Sequence, residues 1–460
     1  MPVRFRIQDP ALADPLRHIE QLVRRAGGRT WLVGGCIRDL VLGRQPLDLD
    51  LEISGLPPGQ LHALLTDHFS VQFAGKAFGL FKLQGLPVTI SIPSRLLTDH
   101  ESSQRLLRHS DPDIDMDESL ARRDFTMNAM AWDPDTLELR DPFNGRADLD
   151  AHLLRHASDR FGEDPLRVLR GMQLAARFGL TAAPETLTLC RTLTQEEQPR
   201  ERLWEEWKKL LLQGVKPSLG LQFLHDCGWL RFYPELAALQ DCEQDPVWHP
   251  EGDVWTHTLH CLDWFALEST GKPDDDLITG LGILCHDFGK PATTTTDYGR
   301  ITSRGHEPEG EAPTRRFLER LTNQEELISE VIPLVLYHLR PSALFDANAS
   351  DSAVRRLARQ VKRIDRLVRV ARADHAGRPP KPFDGFPAGA WLLERARSLE
   401  VEDQAPTPLV LGRHLLELGI KPGPDMGRLL DDCYEAQLDG LFTTLDEGLV
   451  FARTQLPSLR

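Results

Sequence analysis

The feature that most constrains the fold is the run of residues 47–53, which alternates strictly between apolar and acidic side chains (Leu-Asp-Leu-Asp-Leu-Glu-Ile). Successive side chains of a β-strand point to opposite faces, so this run predicts a half-buried strand with one acidic face. Asp48 and Asp50 should therefore project from the same face. Two carboxylates placed in this way can hold divalent cations, an arrangement that nucleotidyl transfer uses.

A helix, a strand and a glycine turn precede this run. Apolar residues at helical spacing predict a helix over 11–26, and residues 31–33 predict a short buried strand. Gly34 and Gly35 would then open a turn into a second helix, whose N-terminus a triphosphate could approach closely. Arg38, one turn into that helix, could pair with phosphate oxygens.

Composition excludes several classes of protein. No apolar run approaches the roughly 18 residues that a membrane-spanning helix needs, so we expect no membrane partner. The N-terminus lacks the apolar core of a signal peptide, and the seven cysteines include no Cys-x-x-Cys pair, as expected for a reduced cytoplasmic protein. The net charge of −15 argues against non-specific coating of nucleic acid but leaves room for a local basic groove.

The remaining sequence changes character along the chain. Further strands are predicted at 78–83 and 88–92, and the polar stretch 98–119 is expected to be a mobile loop. From about residue 151 the pattern is helical, and proline-bearing stretches mark later boundaries. Four segments are therefore expected, at 1–150, 151–245, 246–380 and 381–460.

A second set of ligand-type residues lies in the helical part. The adjacent pair His286-Asp287 offers a nitrogen and an oxygen ligand, and a carboxylate can bridge two metal ions. Mixed ligation of this kind suits a transition metal such as Ni²⁺, Co²⁺ or Mn²⁺ better than Mg²⁺. Four other candidates are interpreted as structural residues: His249, His260, His375 and Lys290.

The motifs of the first half occur in a characteristic order. Leu-Val-Gly-Gly-Cys-Ile-Arg-Asp, the Asp-x-Asp pair, Arg-Arg-Asp-Phe-Thr-Met-Asn-Ala-Met-Ala and Glu-Asp-Pro-Leu-Arg-Val-Leu-Arg resemble the class II tRNA nucleotidyltransferases and bacterial poly(A) polymerases. The resembling stretches are residues 32–39, 48–50, 122–131, 141–145, 163–170 and 201–209.

This resemblance implies an α/β nucleotidyltransferase (palm) head followed by a mainly α-helical neck and body. It also implies that Asp48 and Asp50 bind catalytic Mg²⁺. The residues that would contact the incoming nucleotide are Gly35, Arg38, Arg123, Asn128, Asp164, Arg167 and Arg170.

Asp164 and Arg167 match the protein template with which the family selects bases. Cytosine and adenine both present an exocyclic amine that a carboxylate can accept, whereas guanine and uracil present a carbonyl there. Arg167 would donate to the adjacent ring acceptors. Two departures bear on rate and nucleotide choice: Thr89 stands where many members carry a third carboxylate, and Gln173 where many carry an arginine.

With His257 before it and Asp374 after it, the His286-Asp287 pair resembles the HD phosphohydrolase superfamily. His306 and His338 fall where the two-metal members of that superfamily place additional ligands. The resemblance implies a head at 1–150, a helical neck and body at 151–245, an all-α HD domain at 246–380 and a helical C-terminal tail at 381–460. The HD domain would hydrolyse phosphoesters such as 2′,3′-cyclic phosphates or 2′-nucleotides.

The leading hypothesis is addition of C and A to the tRNA 3′ end from CTP and ATP, by a monomer or homodimer. A poly(A) polymerase, or an enzyme that adds only A or only CC, is an alternative. A tRNA-binding protein with an inactive head is a third possibility. If tRNA is the substrate, positive charge should concentrate along one groove that includes Arg155, Arg160, Arg177 and Lys208.

Overall fold

The structure is a computed structural model that describes residues 3–73, 79–98, 106–195 and 198–455. The chain divides into two compact units, the first comprising Met1–Gln198 with Gln222–Trp229 and the second Pro199–Leu221 with Leu230–Arg460. The four segments expected from the sequence stay a proposal, because this division does not test boundaries inside each unit. Among the described helices, none has the length and apolar character needed to cross a bilayer.

The first unit is built around a mixed β-sheet. Its strands are β1 (Arg29–Val33), β2 (Leu49–Ser54), β3 (Val71–Phe73), β4 (Leu80–Leu83), β5 (Val88–Ser91), β6 (Ser94–Thr98), β7 (Leu106–Ser110), β8 (Ala131–Asp133), β9 (Glu138–Arg140), β10 (Leu153–Leu154) and β11 (Thr181–Ala182). Its helices are α1 (Pro10–Arg25), α2 (Gly35–Val41), α3 (Pro58–Thr66), α4 (Met116–Leu120), α5 (Gly145–Asp150), α6 (Arg167–Phe178) and α7 (Pro184–Arg191). In the described part of this unit, seven strands form one sheet in the order β3-β4-β5-β2-β1-β8-β9.

The alternating run forms the predicted strand at the centre of this sheet. β2 pairs antiparallel with β1 and parallel with β5, which places Asp50 directly opposite Thr89. The apolar residues Leu49, Leu51 and Ile53 are fully buried, and each such leucine or isoleucine contributes about 1.5–3 kcal/mol. The strand begins at Leu49, so Asp48 immediately precedes it rather than lying within it.

The segment 98–119 is not the single mobile loop that its polar composition predicted. β7 pairs antiparallel with β6, and α4 begins at Met116 after Asp115, whose side chain accepts a hydrogen bond from the Asp117 amide. Strand pairing through the main chain and an N-cap do not require an apolar sequence. The polar composition of this segment therefore did not predict the strands or the helix. Residues 99–105, and Phe78 of the predicted strand 78–83, lie outside the described residues.

The second unit is mainly helical, as predicted. Its elements are α8 (Arg200–Gln213), α9 (Pro217–Asp226), α10 (Pro234–Ala237), α11 (Val254–Leu267), α12 (Pro273–Cys285), α13 (Lys290–Thr293), β12 (Thr295–Asp297), β13 (Arg300–Thr302), α14 (His306–Glu309), α15 (Glu311–Leu321), α16 (Glu325–Tyr337), α17 (Arg340–Asp346), α18 (Asp351–Val361), α19 (Ile364–Ala376), α20 (Pro387–Ser398), α21 (Gly412–Glu417), α22 (Pro424–Leu438) and α23 (Leu445–Gln455). Helix α9 and the short 3-10 helix Trp229–Phe232 cross the division between the two units. The β12–β13 hairpin adds a strand pair to a domain expected to be all-α.

Four helices of this unit pack around one another and position the histidine-rich site. α12 packs against α11, α16 and α19, and α11 also packs against α19. α12 is buried along almost its whole length from Asp276 to Cys285, which explains its continuous apolar sequence. Five of the six ligand-type residues lie on these helices or directly at their ends, and the sixth, His306, is the first residue of α14.

Candidate functional sites

The glycine turn of the first unit lies directly against the acidic strand. Gly34 has φ +71°, a conformation that side chains rarely adopt. A Cβ at this position would lie 2.7 Å from Arg123 Nη1 and 3.7 Å from Asp50 Oδ2. The backbone at Gly34 therefore needs glycine both for its conformation and for the close approach of these two side chains.

Opposite charges surround Asp50. Burial raises the pKa of the Asp50 carboxyl, Arg123 opposes that rise, Asp48 adds to it and Arg170 opposes it. The four charged groups are therefore close enough to interact. Two carboxylates beside an open glycine turn are a donor set that fits a divalent cation with oxygen preference.

Glu52 is a residue of this face that the sequence analysis did not single out. It follows Asp50 by two residues on β2, and its buried carboxylate accepts hydrogen bonds from Ser119 and, at 3.3 Å, from Arg123 Nη2. The strict alternation of the strand already placed Glu52 on the acidic face. Its contact with Arg123 shows that it orients that guanidinium.

A chain of polar contacts links Arg38 to Arg170. Arg38 Nη1 donates to Asn128 Oδ1 at 3.0 Å, and Asn128 Nδ2 donates to Asp124 Oδ1 at 3.1 Å. The other carboxylate oxygen of Asp124 lies 2.9 Å from Arg170 Nη2. Burial alone would raise the pKa of Asp124, but Arg170 and the backbone amide of Phe125 hold it below its usual value.

The two predicted template residues lie at the start of α6. Asp164 Oδ1 accepts a hydrogen bond from the Leu166 amide at 3.1 Å. Arg167 is buried and donates to the backbone carbonyls of Arg160, at 2.7 Å, and of Arg122. These bonds fix the Arg167 guanidinium in place before any nucleotide binds. Nearly two turns further along α6, the buried Gln173 accepts a hydrogen bond from Arg177 Nη1 at 3.1 Å.

The basic residues expected to line a positive groove are mostly compensated by acidic side chains. The pairs are Arg155 with Asp148 at 3.2 Å and with Glu185, Arg160 with Glu118 at 3.9 Å, and Lys208 with Glu205 at 2.7 Å. Three of the four residues, Arg155, Arg160 and Lys208, therefore have acidic neighbours, and a strip of positive potential along this groove stays a prediction. Two of these three basic side chains pair with carboxylates distant in the chain, and the sequence alone could not show those pairs.

In the second unit the structure brings together all six residues predicted from the HD resemblance. His257 Nε2 lies 3.1 Å from Asp374 Oδ1, and His286 Nε2 lies 3.2 Å from Asp287 Oδ2. On the other side of Asp287, Oδ1 is 3.5 Å from His306 Nε2, which is itself 3.2 Å from His338 Nε2. Asp287 thus lies between two groups of ligand atoms.

Backbone carbonyls orient three of these histidines. Each Nδ1 lies 2.7–2.8 Å from the carbonyl oxygen three residues earlier, in the pairs His286 with Ile283, His306 with Ser303 and His338 with Val335. An Nδ1–H donor leaves a lone pair on Nε2. The Nε2 atoms of His286 and His306 face Asp287, and that of His338 faces His306. Burial, reinforced by the charge of His286, lowers the pKa of His338 to about 3, which keeps that ring neutral.

The charge balance of this cluster fits a metal site. Burial would raise the pKa of Asp287, but His286, Lys290 and His306 hold it well below its usual range. His286 Nε2 and Asp287 Oδ1 are buried without a hydrogen-bond partner among the described residues. Buried polar atoms are rarely left in this state unless an ion or water completes them.

Glu251 and His249 were not predicted to belong to this site. The Glu251 side chain is fully buried, and its Oε1 lies 2.7 Å from His257 Nδ1 and 2.8 Å from His249 Nδ1. Burial would raise the pKa of Glu251, yet the hydrogen bonds from His249 and His257 lower it to about 2. A carboxylate behind a ligand histidine fixes its ring and tautomer.

A cavity of about 210 Å³ opens onto this cluster and is lined by cationic side chains as well as ligands. Lys290 Nζ lies 2.6 Å from Asp287 Oδ2, and Arg378 Nη2 lies 2.8 Å from Asp374 Oδ1. Lys290, which we interpreted as structural, therefore lines the cavity at the site, whereas the exposed His375 packs on Phe386. The two cations suit an anionic substrate such as a phosphoester.

Comparisons with known proteins match both halves of the chain. A model described as the poly A polymerase head domain matches residues 30–155, and the HD domain matches residues 254–371. The chain is 34% identical to the multifunctional CCA protein of Laribacter hongkongensis (strain HLHK9) in an alignment of 393 positions that covers 82% of this chain and 93% of the relative.

Two solved structures are similar over 98% of this chain. One is the Bacillus stearothermophilus CCA-adding enzyme in complex with CTP, with 20% identity, 99% of that chain covered and a TM-score of 0.66. The other is the Thermotoga maritima CCA-adding enzyme complexed with tRNA, with 19% identity, 97% of that chain covered and a TM-score of 0.59. At these identities the two structures show a shared fold.

Proposed function

Because this chain belongs to the family of multifunctional CCA proteins, we propose that it adds C and A to the 3′ end of tRNA from CTP and ATP. The observation that carries this proposal is the approach of Asp50 and Arg123 to the backbone of Gly34. A carboxylate for a cation, a guanidinium and an open helix N-terminus meet there, and a nucleoside triphosphate needs all three.

In this proposal Asp48 and Asp50 hold Mg²⁺, which would assist attack by the tRNA 3′-hydroxyl on the α-phosphorus and stabilise the departing pyrophosphate. Arg123, oriented by Glu52, and Arg170, oriented by Asp124, supply donors for the phosphate oxygens. Their carboxylate partners hold both guanidiniums in place before substrate binds, which lowers the entropic cost of binding.

Base selection is proposed for Asp164 and Arg167. The Asp164 carboxylate would accept the exocyclic amine of cytosine or adenine, and Arg167 would donate to the neighbouring ring nitrogen. The bonds from Arg167 to the Arg122 and Arg160 carbonyls support this role, because a template has to be held rigidly. Guanine and uracil would place a carbonyl oxygen against the carboxylate and be rejected.

A direct test is incorporation of labelled CTP and ATP into a tRNA that lacks its 3′-terminal CCA, in Mg²⁺. The unmodified protein should incorporate both nucleotides, and Asp50→Asn should incorporate neither. Incorporation of ATP alone, without limit, would support poly(A) synthesis instead. Absence of incorporation by the unmodified protein would leave only a binding role for the head.

We further propose that the second unit hydrolyses phosphoesters with a transition metal such as Ni²⁺, Co²⁺ or Mn²⁺. The proposed ligands are His257, His286, Asp287, His306, His338 and Asp374. Metals held by these residues would polarise the phosphoester and activate water. Lys290 and Arg378 at the cavity would compensate the charge of the phosphate group.

Hydrolysis of a 2′,3′-cyclic nucleotide in the presence of each metal tests this second activity. The unmodified protein should release phosphomonoester with at least one of the three metals and lose that activity on chelation. His286→Ala should be inactive with all of them. If chelation left the rate unchanged, the metal role of this cluster would be refuted.

A further inference from the structure

Cys261 lies inside the histidine-rich cluster, although no resemblance pointed to it. It follows His257 by four residues on α11, so both side chains share one face of the helix. The Cys261 Sγ atom lies 3.4 Å from His257 Nε2, the nitrogen that faces Asp374. The ligand atoms of His257, Cys261 and His286 all lie within 4.8 Å of one another.

A second observation makes this more than a buried thiol near a histidine. His286 Nε2 is buried and aimed into the same space, and its 3.2 Å contact with Asp287 Oδ2 lacks hydrogen-bond geometry. The nitrogen and sulfur atoms of one metal centre, each about 2.0–2.3 Å from the ion, lie roughly 3.3–3.8 Å apart. The 3.4 Å between Cys261 Sγ and His257 Nε2 matches that spacing.

The surrounding backbone confines the thiol at this position. A Cβ on Gly377 would come within 2.4 Å of Cys261 Sγ, and the Gly377 carbonyl lies 3.1 Å from His257 Nδ1. Gly377 therefore packs against both the thiol and the histidine. The close approach leaves the Sγ atom directed toward the ligand nitrogens.

We propose that Cys261 is a thiolate ligand of the metal ion that His257 and His286 hold. This inference rests on the proposed metal site of the second unit. Coordination would release the thiol proton to solvent and place one sulfur among nitrogen and oxygen donors. The opposite side of Asp287, with His306 and His338, offers nitrogen and oxygen alone, so the two metal positions differ chemically.

A sulfur ligand changes which metal the site prefers. Thiolates favour Zn²⁺, Co²⁺ and Fe²⁺ over Mn²⁺, whereas imidazole and carboxylate ligands discriminate less. Loss of Cys261 should therefore lower the affinity for Zn²⁺ by roughly tenfold or more, the scale of losing a conserved partner at a metal site. The affinity for Mn²⁺ should change little.

Electronic absorption of the full chain titrated with Co²⁺ tests the proposal. A thiolate bound to Co²⁺ gives a sulfur-to-metal charge-transfer band in the near ultraviolet, while nitrogen and oxygen ligands give only the weaker visible bands. The unmodified protein should show the charge-transfer band. Cys261→Ala and Cys261→Ser should lack it but still bind Co²⁺ with visible bands.

Two other thiols serve as controls. Cys242 is the partly exposed cysteine, and Cys433 is buried in the separate apolar cluster of α21–α23. The band should persist in Cys242→Ala and in Cys433→Ala. Visible bands without a charge-transfer band in the unmodified protein would overturn the role of Cys261 and leave the metal site standing. Failure to bind Co²⁺ at all would overturn both.

Discussion

Gly34 is the single residue on which the geometry of the nucleotidyltransferase site depends most. Its position at the end of β1 brings the backbone against both Asp50 and Arg123. The Gly-Gly pair could be recognised in the sequence, but the identity of the side chain that touches it could not. Arg123 lies far along the chain, and only the fold shows this contact.

Gly34→Ala should damage both stability and catalysis. The positive φ would cost of order 1–3 kcal/mol, and the added Cβ would displace Arg123. Gly43→Ala is the matched control, because Gly43 has φ +72° but nothing within 4 Å of an added Cβ. Melting temperature and CTP incorporation should be measured for both. Equal loss of activity in the two variants would mean that the contact with Arg123 has no role.

Glu251 illustrates what sequence reasoning missed in the second site. The predicted ligands were recognisable from their order, whereas a carboxylate behind a ligand histidine has no spacing rule of its own. Its only signal was an acidic residue six positions before His257, which is common on protein surfaces. Burial of the side chain and its two histidine contacts distinguish it in the structure.

Glu251→Gln should weaken metal binding without removing a ligand. The amide keeps a hydrogen bond to His257 but loses the negative charge that strengthens the ring as a donor, so affinity should fall about 10- to 100-fold. Calorimetric titration with Mn²⁺ would measure the change. Glu243→Gln, at an exposed position, should bind as the unmodified protein does. An unaltered affinity in Glu251→Gln would show that the charge is irrelevant.

At the scale of elements, patterns with a clear period were predicted well. The helix expected over 11–26 is confirmed as α1, and the alternating run is confirmed as β2 apart from its first two residues. The hairpin β6–β7 and helix α4 were missed, because main-chain pairing and capping by Asp115 carry little compositional signal. Several candidate site residues lie just before a helix or strand or at its end. The order of these elements therefore sets the positions of those residues.

The turn that precedes α12 is tied to that helix by Asp276. This buried carboxylate accepts hydrogen bonds from the amides of Thr270 and Gly271 and from Arg369. Burial would raise the pKa of Asp276, but Arg369 and the Thr270 amide and hydroxyl lower it. α12 ends at Cys285, directly before the His286-Asp287 pair, so this anchor bears on the position of these proposed metal ligands.

Asp276→Asn should destabilise the second unit by about 1.5–3 kcal/mol at pH 7, the cost of hydrogen bonds to a charged group. A lowered folded-state pKa means that this stability is present above about pH 4, the unfolded-state value, and is lost as pH falls further. The gap in melting temperature between the variant and the unmodified protein should therefore narrow below pH 4. The exposed Asp274→Asn, which removes only an interaction with the N-terminus of α12, should show a much smaller gap. A pH-independent gap would refute the role of the charge.

At the scale of the whole molecule, the two clusters of candidate site residues lie in different compact units. The fold class predicted from the sequence, a nucleotidyltransferase head with a helical body and an HD domain, is confirmed. The net charge of −15 could not reveal how acidic residues pair with the basic ones.

Because the two candidate sites lie in different units, we expect a substitution in one site to leave the activity of the other unchanged. Asp50→Asn should abolish nucleotide incorporation and leave phosphoester hydrolysis unchanged, because Asp50 belongs to the first unit. His286→Ala should do the reverse. Both rates should be measured on the same preparations, with circular dichroism to confirm folding. Loss of both activities in either well-folded variant would indicate one shared site.

The most direct test of the central claim uses three tRNAs that end before the CCA sequence, after its first C and after its second C. Each is incubated with CTP, ATP and Mg²⁺, and the 3′ ends are sequenced. The account predicts that all three are completed to CCA and that addition then stops, which would also show that Thr89 and Gln173 are tolerated. Unlimited addition of A, or products that stop at CC, would contradict it.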